Sequence, residues 1–319
     1  VGFGESGAWG FLEASAAAME KFGRYLVGKD PLQIEHHWQN MYRTSYFRGA
    51  AIMGALSALD IALWDIAGKH LGVPAYHLLG GKTRNKARVY YHVYGDTREA
   101  GFTAVGHLTP FLDEAKGVPF FKTHADKMGD AIEAVAAYRE AAGTGVDLCI
   151  EIQRQLTPTE SITLEGYRTI PPAVLRGSHP AGQLRRDGPS RTERVDTHRD
   201  RGAPPLHQRV CDAAGAWCRA VHPPERVSGG GGLTHSKKIA AVAEAHYVGV
   251  VPHNPLSPMS TAACLQLAAG IPNFIIQEYP IGELESPKSE IVTEPLKQEG
   301  GFLMIPDGSG IGVELADDA

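Results

Sequence analysis

Strand-like and helix-like runs alternate along most of this 319-residue chain with short connections, and that alternation constrains the fold more than any single motif. The clearest helical run is "AAIMGALSALDIALWDIAGKHLG", residues 50–72, with Met53, Leu56, Leu59, Leu63 and Ile66 at helical spacing. Gly72 followed by Pro74 predicts its end. The runs "ARVYYHVYG" and "GFTAVGHL" read as strands, "DAIEAVAAYREAAG" as a helix and "VDLCIEIQ" as a strand. Further on, "THSKKIAAVAEAHY" reads as a helix, "VGVVPH" as a buried strand, "STAACLQLAAG" as a helix and "NFIIQEYP" as a strand. The opening "VGFGESGAWG" reads as a strand already under way, which suggests a truncated amino end. Such a pattern favours a parallel sheet or a (β/α) barrel, with chemistry where the strands end.

The pattern stops at about Pro171 and resumes after Gly230. The intervening block contains Arg but no Lys, lacks Ile, Phe, Tyr, Met and Asn, and is frequent in Pro and Gly. An Arg-rich disordered insertion or an RNA-binding tract would share some of this composition. The tract lacks the aromatic interleaving that single-stranded RNA needs. Neither alternative explains why the β/α pattern stops and restarts. The genetic code does. "VDTHRDRGA", residues 195–203, can be encoded so that dropping the first base reads "SIPIATGER". The same operation on "VLRGSHPAGQ", residues 174–183, permits "FFEDPIRPDN". Both hidden strings look like strand ends that carry acids. The block therefore reads as the translation of a shifted frame in a GC-rich gene.

Composition excludes several classes. A net charge of −5 gives no general case for nucleic acid or an anionic membrane. Four scattered cysteines in no metal spacing suggest free thiols in a reducing compartment. No run is read as a transmembrane helix, so a cytoplasmic enzyme without membrane or nucleic-acid partners is expected.

Three stretches carry a family resemblance: "ALSALDIALWDIAGKHLGVPAYHLLGG", "GGLTHSKKIAAVAEAHYVGVVPHNPLSP" and "ACLQLAAGIPNFIIQEY". With them the chain resembles the enolase superfamily in its mandelate racemase/muconate lactonizing enzyme branch, most closely the sugar-acid dehydratases of the galactonate dehydratase type. The resemblance covers residues 1 to about 168 and 231–319. It implies an α/β fold, a (β/α)7β TIM-like barrel with an α+β capping domain. Residues 1–86 would form the truncated cap, 87–289 the barrel, and 290–319 a return to the cap. Barrel strands four to six would be disrupted by the aberrant block. A homo-oligomer acting on a small sugar acid is expected.

The chemistry the resemblance implies is removal of a weakly acidic proton next to a carboxylate. The enediolate is stabilised by Mg²⁺ on three carboxylates, since that ion prefers hard oxygen ligands. Glu151, at the end of "VDLCIE", matches the first metal ligand. The other two, in the "EDP" and "GER" strings, exist only in the hidden frame, over codons 176/177 and 202/203. Those steps each match one β/α unit. His253, directly after "VVP", matches the base. The carboxylate that normally poises such a base is doubtful in either frame, because Arg226 stands near its place. Glu278, in "FIIQEY", matches an acid that hydrogen-bonds the substrate carboxylate or its enediolate; a solvated loop residue is the alternative.

Gln153 departs from the pattern, standing where these dehydratases carry the His that protonates the leaving hydroxyl; an amide cannot deliver that proton. His107 replaces the racemases' paired lysines and reads as a substrate contact or a packed strand residue. Arg48 could reach the substrate from the cap or serve the surface. "GGGG", residues 229–232, reads as an artefact of the returning frame rather than a phosphate loop. The alternatives to a dehydratase are an epimerase or cycloisomerase of the same superfamily, and an inactive relative serving as a subunit.

Overall fold

The structure, a computed structural model, describes residues 1–7, 11–44, 46, 49–91, 99, 101–109, 123–151, 173–176, 227, 230–245, 247–280 and 282–317. It divides into two compact units, one of Val1–Val89 with Pro223–Ala319 and one of Tyr90–His222.

The first unit is built around a long helix. Helices α1 (Leu12–Leu26), α2 (Ile34–Arg43) and α3 (Ala50–Leu71) come first, followed by the single turn α4 (Ala75–Leu78). The apolar spacing predicted α3, and its end follows the predicted chemistry. Gly72 is left-handed at φ 68°, its N–H donates to the Lys69 carbonyl, and the Val73 N–H donates to Gly68. Phe22, Trp38, Met41, Ala55 and Leu56 form the core between α1, α2 and α3. Later in the chain come α6 (Gly232–Ala245), α7 (Pro258–Gly270) and strand β5 (Gln277–Tyr279). Strand β1 (Lys86–Tyr91) pairs antiparallel with β7 (Phe302–Met304) through Lys86, Ala87 and Arg88, and β7 pairs with β6 (Gln298–Glu299).

By length and mean hydropathy, α3 could cross a membrane, contrary to the expectation that no segment could. Its packing is that of a core helix. Asp60 and Asp65 are fully buried within it, and both carboxylates accept backbone N–H groups. Asp65 takes the N–H groups of Phe3 and Ile311 at 3.0 and 2.9 Å, with Lys69 Nζ at 2.8 Å. Asp60 takes Thr234 N at 2.9 Å and Thr234 Oγ1 at 2.6 Å, so it caps the first turn of α6.

Residues 1–7 are not the expected strand. A Cβ at Gly2 or Gly4 would overlap the carbonyls of Ala62 and Ala58. The segment lies against α3 through its glycines instead of joining a ladder. "VGVVPH" also falls short of a strand, and only Val250 bridges, to Phe274.

In the second unit, β2 (Ala104–Leu108) lies between the end of β1 and β3 (Asp147–Glu151), all parallel, with Tyr91 opposite Val105. Helix α5 (His124–Ala142) has Thr123 as its N-cap, whose side chain accepts the Asp126 N–H. Val105, Leu108, Val135, Val146, Leu148 and Ile150 make the core there, with Tyr138 and Ala142 against it. That is the predicted β/α unit.

The block read as irregular begins with a strand. β4 (Ala173–Arg176) pairs parallel with β3, and Glu151 stands opposite Arg176. The reason is local: Ala-Val-Leu suits a buried parallel strand, and ladder hydrogen bonds ask nothing else of the side chains. The rest of barrel strands four to six lies outside the described residues.

The end of "GGGG" has a structural role. Gly231 and Gly232 have φ 118° and 71°. The Gly231 N–H donates to Ser57 Oγ at 2.7 Å, and its carbonyl accepts Trp38 Nε1 at 2.7 Å. A Cβ on Gly232 would overlap the Asp60 carboxylate. Gly28, at φ 74°, has open space around it. Gly232→Ala is therefore expected to cost about 3 kcal/mol, strain plus a disturbed buried carboxylate, and Gly28→Ala only about 1 kcal/mol. Urea unfolding of the two variants checks the difference.

Candidate active site

The segment between Val250 and α7 brings a histidine, a buried asparagine and a helix cap into seven residues. Ser257 is the N-cap of α7, with Pro258 in the first turn and the Met259 N–H donated to Ser257 Oγ at 3.2 Å. The Ser257 hydroxyl in turn donates to Glu5 Oε2 at 2.5 Å. The cap thus fixes the entry to the helix and holds the amino-terminal segment.

His253 precedes that cap. Its side chain is 35% exposed and its Nε2 lies 3.6 Å from Glu278 Oε2, whose side chain is 1% exposed. That separation is too long for a hydrogen bond but close enough for a charge interaction when the imidazole is protonated. Glu278 belongs to β5 and is fully buried, so the alternative of a solvated loop residue is excluded. Its Oε2 accepts the Asn254 N–H at 2.8 Å. Glu278 thus places a buried carboxylate beside the His253 ring, a position the motif did not assign to it.

Three further acidic or thiol groups lie beneath. Glu283 is pushed up to about 8, chiefly by burial; Thr261 and Lys288 oppose the shift and Glu5 adds to it. Burial also raises Glu5, against hydrogen bonds from Ser257 and Ser260. The Cys264 thiol is pushed far up by burial and by the surrounding carboxylates, so it is an inert core thiol; neither it nor Cys149 is in a disulfide. The other two cysteines lie outside the described residues.

In the second unit, Glu151 is the last residue of β3, at the end where a barrel places its chemistry. His107 lies in β2 where the register shifts between Val105 and Leu108. Beside it Gly106 is required, since a Cβ there would enter the Tyr90 ring. Gln153, Arg48 and Arg226 lie outside the described residues.

Among the described residues the donor set does not make up a three-carboxylate Mg²⁺ site. The position in register with Glu151 on β4 is Arg176, a cation with no lone pair to offer. Positions 202 and 203, at the next expected ligand, are Gly and Ala. Among the described residues no three His, Cys, Asp or Glu side chains gather as metal ligands.

Comparison with known proteins follows the same outline. The N-terminal domain of mandelate racemase / muconate lactonizing enzyme matches residues 1–80, and the enolase C-terminal domain-like family matches residues 226–319. The D-galactonate dehydratase of Variovorax paradoxus is 32% identical over 347 residues, covering 99% of this chain and 86% of that protein. That of Cronobacter sakazakii is 31% identical, covering 100% and 86%. A crystal structure assigned as a dehydratase, from Salmonella enterica serovar Typhimurium, superposes with a TM-score of 0.79 at 27% identity, covering 100% of this chain and 88% of that one. The chain belongs to the mandelate racemase / muconate lactonizing enzyme family of the enolase superfamily. By its resemblance to these relatives it is a lyase of the dehydratase type.

The raised carboxyls have a consequence for stability. Asp60 is pushed up to about 7 by burial, and Glu283 to about 8. In the unfolded chain both would ionise near pH 4. Between about pH 4 and pH 8 the folded state holds protons that the unfolded state has released, so stability falls as pH rises through that window. Glu283→Gln removes one of these groups. Calorimetric melting from pH 5 to pH 8 is expected to show a shallower fall in Tm for the variant than for the parent.

Proposed function

We propose that this chain is a sugar-acid dehydratase of the galactonate type that retains its proton-abstracting half and is impaired in its metal-holding half. The observation that carries the first part is the half-exposed His253 imidazole beside the buried Glu278. A neutral imidazole there removes the α-proton of an aldonate, and the carboxylate stabilises the imidazolium that results. The observation that carries the second is Arg176 in register with Glu151. We attribute it to the shifted frame over residues 171–230, whose restored reading supplies a glutamate at each of the two missing positions. Magnesium is the cofactor of that restored protein. A small sugar acid is the substrate, and a cytoplasmic homo-oligomer is the form in which we expect it to act.

Sequencing the gene across codons 160–235 tests the frame directly. Isothermal calorimetry of this chain and of the frame-corrected chain should show Mg²⁺ bound far more tightly by the latter, since one carboxylate cannot replace three around a strongly hydrated dication. Comparable affinities would refute the impairment.

The chemistry is tested in the frame-corrected protein, where Gln153 still stands in place of the leaving-group acid. Abstraction and dehydration use different groups. In deuterium oxide, α-hydrogen exchange of the sugar acid is expected to outpace formation of the 2-keto-3-deoxy product. His253→Asn should abolish both, and Gln153→His should raise dehydration with little change in exchange. Exchange that survives His253→Asn would remove that residue from the mechanism, and an inert frame-corrected protein would favour the role of a non-catalytic subunit.

A further inference from the structure

The carboxylate beside His253 is held by a buried chain of polar groups that no part of the proposed chemistry uses. Asn254 Nδ2 donates to Thr261 Oγ1, and the Thr261 hydroxyl donates to Glu283 Oε2 at 2.7 Å. Asn254 and Thr261 are fully buried and Glu283 is nearly so. The direction of the chain is set by its first donor. With the Asn254 amide occupying a lone pair of Thr261, the threonine proton is left to point at Glu283. Glu283 accepts at Oε2 alone, and its Oε1 has no hydrogen-bond partner. Around it lie Lys288 and Glu5 as charged groups and the Cys264 thiol.

We propose that Asn254, Thr261 and Glu283 are positioning residues for the His253–Glu278 pair: anchoring the Asn254 side chain fixes its backbone N–H on Glu278 Oε2 and so fixes the carboxylate beside the imidazole. The argument is geometric. Asn254 is in the segment with the least regular backbone support near the site, with no strand ladder recorded between Val251 and Ser257. A backbone donor there points steadily only if something else holds the residue. The side-chain amide does so by reaching the first turns of α7, a helix buried along its whole length. Neighbours in sequence, His253 and Asn254 divide the work. One presents a ring to solvent, and the other ties the carboxylate to the core. The functional meaning of this arrangement rests on reading His253 as the base, but the arrangement itself does not.

The test therefore reads the imidazole and not the reaction. In protein labelled at histidine carbon, the His253 titration midpoint is followed by NMR, with Glu278→Gln defining the shift when the carboxylate is removed. A carboxylate favours the imidazolium, so that reference shift is downward. Thr261→Val keeps the shape and removes the hydroxyl; it is expected to move the midpoint down by at least about half the reference shift. Thr261→Ser, which restores the hydroxyl, should return it to within about 0.2 units of the parent. Should Thr261→Val fail to fold, Thr261→Ala removes the same hydroxyl without placing a methyl against Glu283. A midpoint unmoved in a folded Val or Ala variant whose Tm has fallen would overturn the proposal and leave the network a purely structural one. Loss of exchange in His253→Asn bears on the base and leaves this outcome unaffected, so the two readings fail separately.

Discussion

Two buried aspartates on one apolar helix hold the first unit together. An ionisable side chain inside a helix as apolar as α3 is costly unless its oxygens are satisfied. Asp60 and Asp65 are satisfied by backbone from elsewhere in the chain: Thr234 for one, Phe3 and Ile311 for the other. The helix thus fixes three distant segments by accepting the N–H groups they cannot place in ladders of their own. One of those segments opens α6, another leads to Glu5, and Glu5 receives the serine that caps α7. The His253 segment sits at the end of this sequence of attachments.

The site follows the same economy of buried acids with assigned donors. Glu278 accepts an amide, Glu283 a hydroxyl and Glu5 another hydroxyl, each from the stretch between Asn254 and Thr261. Beside these buried acids the His253 ring is the partly exposed group that faces solvent, with Glu278 behind it. A base needs that combination, an accessible nitrogen with a fixed counter-charge behind it, because the proton it gains must be stabilised without moving the surroundings.

Much of this was legible in the sequence, for identifiable reasons. α3 could be read because both its period and its stop residues are local, and the β2–α5–β3 unit because its apolar faces recur at the right spacing. The pairing of His253 with Glu278 could not be read, since the residues are 25 apart and nothing between them marks their approach. Asp60 and Asp65 left a usable signal: two acids in a helix otherwise apolar all round imply buried partners. The short strand expected at "VGVVPH" failed because apolar content decides burial and not ladder pairing. There the chain instead donates Val250 N–H to Asn273 and accepts from Ile275, one bridge and no more.

β4 shows how little a strand asks of its side chains compared with a metal site. A parallel strand is specified by backbone hydrogen bonds and by apolar bulk, and many sequences meet that demand. At positions 174 and 175 Val-Leu supplies it in this chain. The next position is different in kind. A metal ligand is specified by one functional group at one place, and the residue in register with Glu151 is Arg176, which keeps the ladder but offers no ligand. Packing tolerates substitution by class, whereas coordination does not. That asymmetry is why the strand order can continue past Glu151 to β4 although the residue in register with it there is an arginine.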